Sequence, residues 1–195
     1  FHKLINQARI GKILYADIKC GSYLPNWRKG IRYQESVSAK KHLGGGVLLE
    51  LSHEINYANW LFGPFEEIKS IVTNTKTLCI DKDLEDLVQI IAINKNKILI
   101  NIHLDFCSNS NERYCKVYCK EGSIKLDYVT SEITIKNNDT NNISKELIDE
   151  DLDEIYKKQL IHFFNCIENN ATPIVTLDDA METLKLISSC KDSNL

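Results

Sequence analysis

Between Phe65 and Lys136 apolar and polar residues alternate, and this period of two commits the middle of the chain to a sheet with two chemically different faces. Ile98, Ile100, Ile102, Leu104 and Phe106 fall on one side, with Asn101, His103 and Asp105 on the other. Cys115, Val117 and Cys119 oppose Lys116, Tyr118 and Lys120, while Ile124 and Leu126 oppose Lys125 and Asp127. Turn-forming residues separate the runs at Asn94–Asn96, Ser108–Asn111, Glu121–Gly122 and Val129–Ser131. Links this short join antiparallel neighbours, so the pattern predicts an open, largely antiparallel sheet of about five or six strands. Leu87, Ile91, Ile93 and Leu99 have the parity opposite to Val88, Ile90, Ala92, Ile98 and Ile100. Part of the sheet is thus predicted to be apolar on both sides, a face suited to a symmetric partner.

Helical periods flank the sheet. Leu4, Ile5, Ala8 and Ile10 read as the end of a helix, followed by a strand from Lys12 to Cys20. Val47, Leu48, Leu51, Ile55, Ala58 and Leu61 or Phe62 recur at three- and four-residue intervals, and Gly63-Pro64 stops the pattern, which predicts one helix from Val47 to Phe62. Asn137 to Ser144 reads as a polar loop. Leu152, Ile155, Tyr156, Leu160, Phe163, Phe164 and Ile167 form one stripe of an amphipathic helix, and Thr176-Leu-Asp-Asp179 opens a last helix as a capping-box variant. Residues 22–43 are a long segment without a period but with Tyr23, Trp27 and Tyr33, which marks a functional loop rather than a disordered one. The fold class expected is α+β, helices on one face of an open mixed sheet, as one domain over residues 1–195.

Composition removes several function classes. With 43% hydrophobic and 26% charged residues the chain is an ordinary globular one. A net charge of -3 offers no basic field for a phosphate backbone, so nucleic acid is not an expected partner. No apolar run reaches a membrane-spanning length and no signal-peptide pattern opens the chain, so a cytoplasmic location without membrane contact is expected. Seven cysteines without a C-x-x-C pair fit reduced thiols better than a disulfide framework or a zinc ribbon. The start at Phe1, without methionine and inside an apolar pattern, predicts a piece of a longer protein.

His53-Glu54-Ile55-Asn56-Tyr57 approaches the metalloprotease pattern H-E-x-x-H, but Tyr57 stands where the second histidine belongs, so no metal site is expected there. Gly44-Gly45-Gly46 lacks the G-x-G-x-x-G spacing of a dinucleotide turn. Two uses stay open for it: a flexible beginning to the helix, or close approach of a ligand to free backbone N–H groups. His53 follows Glu50 by three residues on the predicted helix, so the two side chains share a face. A carboxylate so placed can orient an imidazole for general acid/base work; the plainer alternative is a surface histidine beside a surface acid.

Taken together, Tyr23-Leu-Pro-Asn-Trp-Arg28, Tyr33-Gln-Glu-Ser36, Gly44 through Tyr57 and Trp60-Leu-Phe-Gly63 resemble the C-terminal domain of the glucose-fructose oxidoreductase / inositol dehydrogenase / MocA (Gfo/Idh/MocA) family. Ile10-Gly11-Lys12-Ile13 and Pro173 with Asp179-Ala180 and Leu184-Lys185-Leu186 match weaker landmarks, so the resemblance covers nearly the whole chain. It implies an NAD(P)-dependent oxidoreductase of sugars, sugar nucleotides or cyclitols, with NAD or NADP bound mainly by an N-terminal Rossmann domain absent from this chain. The family's histidine maps to His53, which would exchange a proton with the substrate hydroxyl, and its acid maps to Glu50. Trp27 and Arg28 match a pair that reaches the cofactor. Tyr23, Lys40 and Asn56 are the substrate-contacting candidates, Asn56 standing where the family commonly has aspartate. The Ser52-His53-Glu54 segment belongs to a branch that leans toward sugars of surface polysaccharides. The family also implies pairing through the sheet, hence a homodimer or a tetramer of dimers. A non-catalytic binding or scaffold protein that keeps the fold is the alternative, to which Asn56 gives weight.

Overall fold

The computed structural model describes residues 1–6, 10–148 and 151–192. A short helix α1 (His2–Asn6) leads to strand β1 (Ile13–Gly21); Ala8 of the predicted helix end lies outside the described residues. Residues 22–43 are built from four single-turn 3₁₀ helices. Helices α2 (Val47–Glu50) and α3 (Ser52–Phe62) follow, then strands β2 (Phe65–Thr73), β3 (Leu87–Asn94), β4 (Leu99–Asp105), β5 (Glu112–Cys119), β6 (Gly122–Asp127), β7 (Glu132–Asn137) and β8 (Ile143–Leu147). Helices α4 (Leu152–Asn169) and α5 (Leu177–Asp192) close the chain.

The strands form one sheet in the order β2-β3-β4-β1-β5-β6-β7-β8. Strand β1 enters at the centre, parallel to β4 and antiparallel to β5, and every other pairing is antiparallel. This is the expected open mixed sheet: the stretch from Phe65 supplies six strands, β2 to β7, β1 is the strand read from Lys12 to Cys20, and β8 is the one added. The extra edge strand β8 lies partly in the stretch that reads as a polar loop. All five of its residues are exposed, so an inward apolar set that would betray a strand is missing.

The inner face carries Ala16 and Ile18, Val88 and Ile90, Ile100, Ile102 and Leu104, and Cys115 and Val117, all at most 1% exposed. Val47, Leu48, Ile55, Ala58 and Phe62 from α2 and α3, with Leu186, Ile187 and Cys190 from α5, bury this face. The alternation thus placed Cys115 and Cys119 correctly, as buried thiols.

Three expectations change. The helix predicted from Val47 to Phe62 breaks at Leu51, whose backbone (φ -104, ψ 23) leaves the helical region. On one side Val47 and Leu48 donate to the Glu85 carbonyl at 3.0 Å and carboxylate at 3.2 Å. On the other, Ile55, Ala58 and Phe62 bind α3 into the core, and one residue turns the axis between the two anchors. A period of three to four survives such a turn, so the sequence cannot display it.

The same contacts settle the glycines. A Cβ on Gly45 would stand 2.5 Å from the Val37 carbonyl oxygen and 2.6 Å from that of Ser38. Gly46 has φ +101 and lies against Glu85. The two N–H groups of Val47 and Leu48 are therefore already used by Glu85, and the glycines serve close packing rather than an approaching ligand.

Finally, α4 does not lie on the sheet. Ile155, Tyr156, Leu160, Phe163, Phe164 and Ile167 are 40% to 62% exposed, so the stripe exists but has no cover among the described residues. The Leu152 side chain is outside the described residues. The capping box of α5 is formed as read: Thr176 Oγ1 donates to Asp179 Oδ2 at 2.6 Å and accepts from the Asp179 N–H at 3.2 Å.

The outer face is divided. Ile93, Leu99, Tyr15 and Tyr118 stand in one cross-strand row, with Ile91 and Leu99 48% and 41% exposed and the two tyrosine rings stacked at 4.1 Å. Beside it lies a polar lane in which Asn101 donates to Asp17 at 2.6 Å, Tyr114 donates to Asp17 at 2.9 Å, and His103 sits between Gln89 and Asp105. Alternation foresees the apolar part of this face, whereas the hydrogen-bonded lane depends on strand order.

Candidate functional site

The C-terminal end of β1 opens a groove of about 690 Å³ lined by Cys20, Ser22, Trp27, Arg28, Arg113 and Tyr128, among others. Only glycine fits at Gly21: a Cβ there would lie 2.3 Å from Asp105 Oδ2. Asp105 is needed in that place, because its other oxygen accepts from the Cys107 and Ser108 N–H groups and shapes the turn after β4. Burial pushes the Asp105 carboxyl up, but hydrogen bonds from His103, Ser108 and Cys107 prevail and hold it below its ordinary value.

Trp27 follows the first 3₁₀ turn. Its Nε1–H donates to Ser22 Oγ at 2.7 Å and its ring meets Phe106 edge-on at 5.2 Å, which fixes the indole as one wall of the groove. Arg28, next in the chain, is exposed at the rim. Tyr23 is half-buried against the core. Lys40 lies elsewhere, 3.5 Å from Asp81, whose carboxylate also accepts the Lys41 N–H at 2.9 Å.

His53 is in the first turn of α3, with its side chain 49% exposed. The acid that meets it is Glu54: His53 Nε2 lies 3.1 Å from Glu54 Oε1. Glu54 is fully buried, and the same oxygen accepts from Arg113 Nε at 2.7 Å. The Arg113 guanidinium in turn lies 4.6 Å over the Tyr128 ring. Burial pushes the Glu54 carboxyl up, yet the His53 hydrogen bond and the Arg113 charge outweigh it, and the carboxyl sits below its ordinary value. Glu50 is half-buried on α2, on the far side of the Leu51 break. Asn56 Nδ2 donates to Thr183 Oγ1 at 2.9 Å, tying α3 to α5, and lines with Ser52 and His53 a second cleft of about 380 Å³.

Of the residues singled out in the sequence, the structure brings Trp27 and Arg28 to one groove and His53 to Asn56 at the neighbouring cleft. Glu54 and Arg113 escaped the sequence analysis. Consecutive helical residues point about 100° apart, so a His53–Glu54 contact has no periodic signature, and Arg113 is 59 residues away from its partner. Cys20, His53 and Glu54 hold ligand-type atoms within 4.8 Å of one another. The guanidinium on Glu54, however, already supplies the positive charge that a metal ion would bring, and burial together with the Glu54 charge pushes the Cys20 thiol up to about 12, against metal ligation and against nucleophilic use.

Because the Glu54 carboxyl is depressed in the folded state, its contribution is present above the ordinary carboxylate range and is lost as pH falls through the folded value. Asp105 acts in the same direction. The urea midpoint is expected to fall from about pH 5 downward, and Glu54→Gln, less stable at neutral pH, is expected to show a shallower acid slope. A variant with the full wild-type slope would remove Glu54 from that account.

The profile of the oxidoreductase family's C-terminal alpha/beta domain, Gfo/Idh/MocA, matches residues 2–194. No curated protein matches the chain. Among solved structures, an aldose-aldose oxidoreductase from Caulobacter crescentus complexed with glycerol superposes with a TM-score of 0.80 at 18% identity, over 98% of this chain and 56% of that one. A levoglucosan dehydrogenase in complex with NADH and levoglucosan gives 0.83 at 17% identity, over 98% and 59%. A super-repressor mutant of Gal80p from Saccharomyces cerevisiae gives 0.77 at 16%, over 99% and 58%. At such identities the likeness is one of fold, and the chain spans little more than half the length of these proteins. The match over residues 2–194 is decisive for kinship: the chain belongs to the Gfo/Idh/MocA oxidoreductase family and corresponds to its C-terminal α/β domain.

Proposed function

We propose that this chain is the substrate-binding and oligomerisation part of an NAD(P)-dependent oxidoreductase that acts on a hydroxyl or carbonyl of a sugar, sugar nucleotide or cyclitol. The observation that carries this is His53, half-exposed and braced by the buried Glu54–Arg113 pair beside the polar groove. In this reading His53 exchanges a proton with the substrate hydroxyl and Asn56, which lines the same cleft, contacts the substrate; for Tyr23, packed on the core, and Lys40, held by Asp81 elsewhere, the geometry adds no support to a substrate contact. Glu50 is kept as a secondary tuning acid. A nicotinamide cofactor, held mainly outside this chain, would supply hydride chemistry at the carbon bearing that hydroxyl. Trp27 and Arg28 would hold it from this side. The fit is partial, since the glycine-preceded helix of this chain has its first N–H groups occupied by Glu85 and cradles no phosphate. The exposed stripe of α4 fits the surface on which the cofactor-binding part would rest.

Reduction or oxidation of nicotinamide, followed in the longer protein with a panel of sugars and sugar nucleotides, tests the reaction. For the chain alone, calorimetry is expected to show no micromolar binding of NAD(H); micromolar affinity would contradict the division of labour. Surface-polysaccharide sugars are the substrate group to try first. No helix among the described residues is long and apolar enough to cross a membrane, and we propose a cytoplasmic location without membrane or nucleic-acid partners.

The row Ile93–Leu99–Tyr15–Tyr118 and its neighbour Ile91 support a homodimer, or a tetramer of dimers, through the outer sheet face. Light scattering at tens of micromolar is expected to give at least twice the monomer mass; a monomer would count against it. A second reading, a non-catalytic binding or scaffold protein, draws support from the likeness to a chain described as a super-repressor. Turnover by the longer protein separates the two.

A further inference from the structure

We propose that Arg113 is a positioning residue: by clamping the Glu54 carboxylate, it fixes which ring nitrogen of His53 carries the proton. The inference deepens the function proposed above and draws its significance from it, although the proton's position can be measured with no reaction at all.

The geometry is that of a shared oxygen. Glu54 Oε1 lies 2.7 Å from Arg113 Nε and 3.1 Å from His53 Nε2. A guanidinium can only donate, and it keeps its charge at any pH a protein tolerates, so Oε1 accepts from Arg113. An ionised carboxylate has no proton to offer, hence His53 Nε2 must be the donor in its own contact. The ring then bears its proton on Nε2, and Nδ1 is left as the nitrogen able to take a proton from a hydroxyl.

Arg113 is what makes this arrangement hold. Glu54 is fully buried, and its second oxygen has no hydrogen-bond partner among the described residues, so its charge rests on the protein groups around its first oxygen. That support comes from His53 and the Arg113 charge, with the buried Tyr57 hydroxyl adding to it from the same helix; of the three only Arg113 brings a charge at every pH. Tyr128 keeps the guanidinium in place from the other side, with 4.6 Å between its carbon and the ring centre. If the guanidinium is removed, burial favours the neutral acid. A protonated Glu54 can donate to Nε2, and the His53 proton moves to Nδ1, the nitrogen that should stay free. Arg113 is partly exposed and lines the groove, so its influence on His53 travels through Glu54 rather than through direct contact.

The test uses this chain as it is. Long-range ¹H–¹⁵N NMR distinguishes the two neutral tautomers, and the spectrum of His53→Asn assigns the His53 signals among the five histidines. The unaltered chain is expected in the Nε2–H form. In Arg113→Gln the Nδ1–H form is expected to become the major one, while Arg113→Lys, which restores the charge, is expected to keep Nε2–H. A merely structural role for Arg113 would alter stability and leave the tautomer as it was. Should Arg113→Gln fail to fold, infrared spectra of the unaltered chain and of Glu54→Gln decide: the subtraction is expected to show an ionised carboxylate at neutral pH. An Nδ1–H ring in the unaltered chain, an unchanged ring in Arg113→Gln, or a protonated Glu54 would each overturn the proposal. Failure of the proposed reaction shows up separately, as absence of nicotinamide-linked turnover with any sugar tried, and failure of the His53 role as normal turnover in a His53 variant.

Discussion

In the oxidoreductase proposed above, His53→Ala is expected to lower kcat by roughly 10²–10⁴-fold, the usual contribution of a positioned general acid/base. The side chain is half outside the protein and Arg113 stays on Glu54, so the fold should survive, with a modest fall in the thermal midpoint because the buried Glu54 charge loses one of its supports. His53→Asn should behave alike, because an amide cannot exchange the proton. Turnover within a few-fold of normal in both variants would reduce His53 to a helix-surface residue with an acidic neighbour. Glu50→Gln is expected to have a smaller effect than Glu54→Gln, since Glu54 is the acid in contact with the ring.

Phe106→Ala is expected to cost about 3–5 kcal/mol of stability, the range for an aromatic ring deleted from a core without collapse of the site. Phe106 has no exposed surface and is among the largest fully buried side chains. Its own N–H donates to the Asp86 carbonyl at 2.8 Å and its carbonyl accepts from Leu24 at 3.0 Å, so the backbone is pinned on both sides and cannot close over the cavity. The ring is also the edge on which Trp27 rests. The lower denaturant midpoint should therefore come with a changed Trp27 emission in the still-folded protein, read in a Trp60→Phe background. A loss below about 1 kcal/mol would mean that the neighbours repack freely, and that this wall of the groove is softer than its contacts indicate.

Legibility in the sequence followed the range of the interactions. Alternation found the strands whose inner residues are buried, from β3 to β7, because period-two burial leaves its mark in every second residue. It could not find β8, which buries nothing. The stripe of α4 was read correctly as amphipathic, but amphipathicity says only that a helix has an apolar face, not that the cover is in the same chain. The segment from Gly44 to Tyr57 identified a family and a histidine. The partner of that histidine was misplaced by the Leu51 break, which turns α3 relative to α2.

What the sequence alone determined is thus the class of fold and the kinship, and it singled out His53 as a candidate, all of them readings carried by neighbouring residues or by a fixed period. Only the tertiary structure decided that Glu85 fills the start of α2, that β1 inserts between β4 and β5, and that Arg113 reaches Glu54. Each is a contact between residues far apart in the chain, and a buried charge finds its countercharge wherever the packed core brings one within about 3 Å, a condition that no local pattern records.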